Sequence, residues 1–241
     1  MAGSNVLVPR MAHLGLLARS TADLALFAGA FDSVFADTAP DAQTPRLGLV
    51  TGPGWATSDD GVREAFEAFV AALPIKIAAI ELPREFDQAI DVTFGLLNAH
   101  LAHRFGSAPD AIRHRYCRPL QDGIAAGSRI SAADYLAFDA LADRLVELAS
   151  QHFAEHDALI TLSAPSEATR LEDGPGSGVM SMPWSLCGLP TVSLPLLRGR
   201  DGFPIGVQLV GRHGGDRVLL NIAGWLEAIA LGGSNPMEAM R

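Results

Sequence analysis

The sequence predicts an α/β fold in which helices cover a mostly buried sheet, and three observations predict it. Short β-rich runs alternate with longer amphipathic ones, the pattern of helices layered on a sheet. The run 157–162 is apolar and short, as a strand buried on both faces must be. Two further apolar runs, 191–197 and 205–210, flank the segment 198–202, which predicts a hairpin.

The remaining elements follow in order. Ser20-Thr21-Ala22-Asp23 has the form of a capping box, a hydroxyl to start a helix with a carboxylate three positions on. Leu24, Leu26, Phe27, Ala30, Phe31 and Val34 continue it at helical spacing. Residues 46–50 are a short strand closed by the turn cluster Thr51-Gly52-Pro53-Gly54. Residues 59–73 form an amphipathic helix with Val62, Ala65, Phe66 and Phe69 on one face, and 77–82 another strand. Helices are expected over 85–105, 109–126 and 131–153, broken at Gly106-Ser107 and Gly127-Ser128. The loop Gly174-Pro175-Gly176-Ser177-Gly178 leads into a helix ending near Cys187, and 216–230 is a closing helix. No repeat or long linker divides the chain.

Composition narrows the function classes. The chain is 49% hydrophobic and 19% charged, with a mean hydropathy of +0.21. Many residues are therefore fully buried, or some apolar surface expects a partner, and a homo-oligomer is one form of that. No apolar run approaches the ~18 residues of a membrane helix. Residues 1–10 lack a charged stretch followed by an apolar one, so no signal peptide is expected. A net charge of −9 leaves no basic stripe for nucleic acid. Cys117 and Cys187 have neither metal nor disulfide spacing, which fits a reducing cytoplasm.

The stretch Ser185-Leu186-Cys187-Gly188-Leu189-Pro190-Thr191-Val192-Ser193-Leu194-Pro195 is followed by Gly202-Phe203-Pro204-Ile205-Gly206-Val207-Gln208-Leu209-Val210-Gly211. This pair resembles the C-terminal signature of the amidase signature family. Gly15-Leu16-Leu17-Ala18-Arg19-Ser20-Thr21-Ala22-Asp23-Leu24-Ala25-Leu26 resembles the segment just after that family's catalytic core. Residues 138–157 resemble its long helix before the C-terminal sheet. Asp157-Ala158-Leu159-Ile160-Thr161, then Ala164-Pro165, resembles a strand-then-loop at the rim of its active site. The similarity is most specific over 157–230 and weakest over 1–14, where Ala12-His13 stands in place of a frequent Asp-Thr pair.

The resemblance implies about the C-terminal half of such an enzyme, a single incomplete domain over 1–241 carrying part of the family's α/β/α fold with a mixed sheet. In the family a serine attacks, a second serine relays protons and a lysine is the base, all in an N-terminal segment. A lysine base must be desolvated to lower its pKa. The one lysine here, Lys76, follows Pro74-Ile75 and precedes Ile77, the context of a solvated or snorkelling side chain. There is no Gly/Ser-rich nucleophile segment. The complete protein is thus expected to hydrolyse a small carboxamide, or transfer its acyl group, through an acyl-serine. This chain would supply pocket wall and sheet, with no catalytic residue, no metal and no cofactor, and by itself would be inactive. The competing readings are a non-catalytic binding or scaffold protein and an unproductive gene fragment.

The candidate substrate-binding residues lie in one stretch. Ser177, between Gly176 and Gly178 ahead of a helix, suits an anion or oxyanion loop, or simply a capped flexible one. The flanking Pro175 and Val179 rule out the GxSxG nucleophile pattern. By resemblance the loop lines an acyl pocket, and Gly178, Met180, Ser181 and Trp184 share it, although a core tryptophan is the plain alternative. His100/His103 and His152/His156 have ligand-like helical spacing but no third ligand at defined spacing. A triad from Ser166, His213 and Asp216 has nothing specific behind it, since triads are recognised by geometry.

Overall fold

The computed structural model of the chain describes residues 6–35 and 44–232. Its elements are α1 (Thr21–Gly29), β1 (Leu47–Val50), α2 (Asp60–Ala72), β2 (Ala78–Ile80), α3 (Ala89–Phe105), α4 (Asp110–Arg113), α5 (Arg118–Gly127), α6 (Ala132–Gln151), β3 (Ala158–Leu162), α7 (Met182–Leu186), β4 (Thr191–Arg198), β5 (Pro204–Val210) and α8 (Asp216–Ala230). One sheet runs β2-β1-β3-β5-β4. β2, β1 and β3 are parallel, and β5 is antiparallel to both β3 and β4. Parallel neighbours need crossovers, which α2 and the α3–α6 run supply. The fold is the helix-covered mixed α/β sheet that the alternation predicts.

Side chains alternate between the two faces of each strand, and the two cores divide accordingly. Leu47, Ile160, Leu162, Val207 and Leu209 pack with Val62 and Phe66 of α2 and with Leu219, Ile222 and Leu226 of α8. On the opposite face, Val50, Leu159 and Val210 pack with Phe86, with Val92 and Leu96 of α3, Ala142 and Leu145 of α6, and Trp184 and Leu186 of α7. α6 begins at a complete capping box, in which Ser131 and Asp134 satisfy each other's backbone N–H.

Several expectations are corrected. The run 109–126 is two helices, because Cys117 is extended and Pro119 sits in the first turn of α5, where a proline is tolerated, rather than in a helix interior. The helix expected from residue 85 opens as a 3₁₀ turn, Arg84–Gln88. α7 has only five residues. In α1 the buried positions are Thr21, Ala25 and Ala28, so Leu26, Phe27 and Phe31 of the apolar run face outward at 78%, 53% and 66% exposure. The seat of α1 is polar instead: Glu227 Oε2 on α8 accepts from the Thr21 hydroxyl at 2.5 Å and the Thr21 N–H at 3.1 Å. Val34 belongs to the same run, and its side chain lies outside the described residues. β4 is an edge strand, with Thr191, Ser193 and Pro195 exposed and only Leu194 buried, so it is not covered on both faces as its apolar composition suggested.

A reciprocal clamp sets the register between β1 and β3. Arg46 donates to Asp157 from Nη2 at 2.7 Å and from its backbone N–H at 2.9 Å, and the Asp157 N–H donates back to Arg46 O at 2.8 Å. The hydrogen bonds from Arg46 hold the Asp157 carboxyl below the usual carboxylate range, against a smaller opposing effect of burial. A depressed carboxyl contributes stability above its unfolded pKa of about 4, and that stability is lost as pH falls through the folded value. Arg46→Ala should therefore lower the melting temperature at pH 7, and the gap to the parent chain should close below about pH 4 in scanning calorimetry. A pH-independent gap would assign the loss to packing.

Among the described residues β4 has no partner on its outer edge, and Leu17, 98% exposed, and the outward Leu26, Phe27 and Phe31 lie on the same molecule. A free ladder edge and exposed apolar side chains template association. Light scattering should give a mass above the monomer with strong ANS binding, and Phe27→Ser with Phe31→Ser should reduce both. A sharp monomer peak with negligible dye binding would overturn this expectation.

Candidate active-site cleft and its family

In open α/β sheets, ligands bind beyond the carboxyl ends of the parallel strands. The carboxyl ends of β1 and β3 lead into the turn at 51–54 and the long loop 163–181. The two are stitched together: the Asp59 N–H ahead of α2 donates to Pro165 O at 2.8 Å, and the Ala168 N–H donates to Pro204 O at 2.9 Å. Glu167 pins the loop to the β4–β5 hairpin, its carboxylate accepting from the N–H of Asp201 and of Phe203, each at 3.1 Å. That approach requires Gly199, where a Cβ would lie 1.8 Å from the Glu167 carboxyl carbon.

Across α7 lies the segment 6–14, which the resemblance covers most weakly. It is tied down at three points. Arg10 Nη2 bridges Asp139 and Asp143 of α6 at 3.0 and 2.6 Å. Arg104 Nη1 donates to Val6 O, and His13 Nε2 donates to Ser185 O, both at 3.0 Å. Between this strap, α3 and α7 is an open cleft of about 560 Å³. Val8, Met11, His13 and Leu14 of the strap line it, with Thr93 and Leu97 of α3 and, from the other side, Gly178, Ser181, Met182 and Ser185.

Gly178 and Ser181, chosen from the sequence, thus face one cleft. Ser181 is held by its hydroxyl, which donates to Gly178 O at 3.0 Å. Ser177 is exposed on the loop and its hydroxyl accepts from the Val179 N–H at 3.4 Å, away from the cleft lining. Met180 is 4% exposed and packs in the α2/α8 core. Trp184 is 1% exposed, its ring 6.3 Å from that of Phe86, and its indole N–H has no hydrogen-bond partner among the described residues. These two residues stand behind the cleft.

The other nucleophile and base candidates lie elsewhere. Lys76 is exposed in a shallow depression with Arg46 and His156, at the amino ends of the parallel strands and so at the opposite end of the sheet. Burial pushes the Cys187 thiol up to about 12, which leaves it protonated at neutral pH. Ser166 donates to Glu167 O and His213 Nδ1 bonds Gly188 O, so neither is turned to the other. His100 bonds the Tyr135 hydroxyl, and His156 bonds the carbonyl of His152.

Sequence reading missed two features. The strap as a cleft wall had no motif; its ion pairs span about 130 residues in sequence. The second feature is a polar strip across β3, β5 and β4. Thr161 stands across the ladder from Gln208, which stands across from Ser193, while the Ser163 N–H donates to Gly206 O at 2.9 Å. The Ser163 and Ser193 hydroxyls meet over Gly206 at 2.7 Å. The alternation of polar residues in 161–163 and 206–208 was its only signal.

The comparisons with known proteins bear on the family and the fold. The family model described as Amidase matches residues 7–220. A glutamyl-tRNA(Gln) amidotransferase subunit from Parvibaculum lavamentivorans is 36% identical over 112 residues, 42% of this chain and 23% of that protein. A fatty acid amide hydrolase of Medicago truncatula is 28% identical over 111 residues, 41% of this chain and 18% of that one. Among solved structures, one described as an amidase superposes with a TM-score of 0.79 at 24% identity, over 94% of this chain and 55% of the other. A 6-aminohexanoate cyclic dimer hydrolase gives 0.68 at 20% identity, over 91% and 55%. The chain therefore spans about half the length of the solved structures it matches, and the family match over residues 7–220 places it in the amidase family.

Proposed function

We propose that this chain forms the acyl-pocket wall and part of the sheet of an amidase acting on small carboxamides, and that the serine that would carry the acyl group comes from outside it. The observation that carries the reading is the meeting of Gly178 and Ser181, at the end of the loop that follows β3, with the 6–14 strap in one cleft. The cleft is mostly apolar, with a few polar groups, His13, Thr93, Ser181 and Ser185, the character of a site for an acyl chain. Its volume of about 560 Å³ lies within the range of small-molecule sites. In this reading Gly178 lets an acyl group approach the backbone, and the Ser181 hydroxyl fixes the loop. Met180 and Trp184 stiffen it from behind, and Ser177, off the cleft lining, caps the loop through the Val179 N–H. The distance of Lys76 from the cleft supports a nucleophile and base supplied by another segment. No helix among the described residues is long and apolar enough to cross a membrane; the proposed setting is the cytoplasm.

The purified chain should show no turnover of hexanamide or of p-nitroanilides, because pocket walls alone cannot approach the ~10⁶-fold acceleration of an enzyme. Co-expression with a complementary N-terminal amidase segment should restore it. In that complex Ser181→Leu, which fills the cleft, should lower kcat/KM for long acyl amides by at least about tenfold with little change for acetamide. Turnover by the chain alone that Lys76→Ala or Ser177→Ala abolishes would overturn the division of labour. A stable complex inactive on every amide would overturn the pocket.

Trp184→Ala should cost about 3–5 kcal/mol in denaturant unfolding, the loss for a fully buried large aromatic. A smaller loss accompanied by altered amide preference in the restored complex would place the indole in the pocket instead.

A further inference from the structure

The strap closes a second cavity, of about 420 Å³, against α3 and α6. Val8 is the residue common to its lining and that of the acyl cleft, so the strap is the partition between the two. Two pairs of residues one helical turn apart build the walls: Leu96 with His100 on α3, and Tyr135 with Asp139 on α6. Gly95 sets the level at which they meet. A Cβ there would stand 2.5 Å from the Phe138 ring, so α3 and α6 touch at this height. One turn further along α3, His100 Nε2 bonds the Tyr135 hydroxyl at 3.2 Å, with the rings 5.9 Å apart. The helices therefore run antiparallel, and Leu96 lies level with Asp139. Pro9 and Val8 of the strap add apolar surface across from them.

Charge decides what such a cavity takes. Arg10 Nη2 reaches Oδ1 of Asp139 at 3.0 Å and Oδ1 of Asp143 at 2.6 Å. One guanidinium thus faces two carboxylates, and the cluster keeps a net negative charge. Asp139 Oδ2 has no partner among the described residues, and of the two aspartates only Asp139 lines the cavity. Burial, and after it the neighbouring His103, push the His100 imidazole below its ordinary value, so it brings no positive charge at neutral pH. An anion would meet the surplus carboxylate, and a neutral group would leave that charge unanswered. A primary ammonium on a short unbranched alkyl chain answers every wall. Its N–H groups suit Asp139 Oδ2, its charge suits the face of Tyr135, and its methylenes suit Val8, Pro9 and Leu96. The cavity volume lies within the range of small-molecule sites.

We propose that the cavity between the strap, α3 and α6 binds a small alkylammonium ion, with Asp139 as its counter-charge. This site is independent of the carboxamide reading, whose ligand occupies the other cavity. Isothermal titration calorimetry on the full chain measures it, using butylammonium for a free amine and acetyl-lysine methylamide for a lysine side chain. Butanoate and 1-butanol are the controls for charge. At least one ammonium should bind, and neither control should. Asp139→Asn keeps an acceptor for Arg10 and should raise Kd about tenfold or more, a charged hydrogen bond being weakened. Asp143→Asn weakens the hold on the strap too but alters no cavity wall, and should change Kd by no more than about threefold. Ser181→Leu, in the acyl cleft, should leave the binding unchanged. Circular dichroism checks that each variant folds; if Asp139→Asn does not, Tyr135→Leu should give about a threefold rise, the aromatic face being lost. An equal loss in Asp143→Asn would assign the effect to the strap and overturn the site. Equal binding of butanoate or 1-butanol would overturn it as well, and so would a loss of binding in Ser181→Leu, which moves the amine into the acyl cleft. No binding of either ammonium overturns this site and leaves the acyl cleft standing.

Discussion

β3 is buried at all five of its positions, and the need to cover it on both faces organises the molecule. It pairs in parallel with β1 and antiparallel with β5, so it joins the crossover half of the sheet to the hairpin half. Ile160 and Leu162 commit one face to α2 and α8, while Leu159 commits the other to α3, α6 and α7. Full burial of such side chains is worth about 1.5–3 kcal/mol each. It is available only if the long excursion from residue 81 to 157 returns helices to the sheet. The Arg46–Asp157 clamp sits where that return is made, and holds the starts of β1 and β3 level.

Cover thins toward β4. The hairpin brings β4 into the sheet, but only Leu194 among its eight residues is fully buried, and Leu194 to Leu197 is a register shift next to an exposed Pro195. Proline and a bulge are devices that blunt an edge, so the far half of β4 is protected against pairing while 191–194 is open. The same flank carries the groove between α1, the strap and α8, lined by Leu16, Leu24, Leu189 and Leu219. An apolar groove beside an open strand edge is consistent with a chain that spans about half the length of two solved structures it superposes on.

Much of the fold was legible because local and long-range preferences agree. The run 157–162 is short, apolar and bounded by Asp157, and no helix could use it; α8 has its apolar residues on one face and begins and ends where its pattern does. The errors fall where one preference overrides another. Pro119 splits a run that is helical by composition, and its lone-residue signal is the same whether a helix begins or kinks there. In α1 the large residues are outside and the alanines inside, because a polar seat on Glu227 allows close approach only through small side chains. β4 and β5 have similar compositions, and edge or centre is decided by partners that the strand does not encode.

The site divides along the same line. Gly178 and Ser181 were readable because a glycine-rich loop ahead of a helix has local logic. Trp184 and Met180 were readable only as near the loop, since facing the cleft or the core depends on the rotation of one short helix for Trp184 and on the turn ahead of it for Met180. The strap and the serine pair had no local logic at all: Arg10 meets Asp139 and Asp143, and Ser163 meets Ser193, only after the sheet has closed. Polar residues on a strand face carry meaning when the face is otherwise committed to a core. Thr161 and Gln208 lie on the same face as Leu159 and Val210; valine at 161 would orphan nothing, whereas valine at 208 would take from the Met180 carbonyl its bond to Gln208. Gln208 thus gives up apolar burial to tie the loop ahead of α7 to the middle of the hairpin, a long-range use of a polar side chain that the strand's own alternation does not encode.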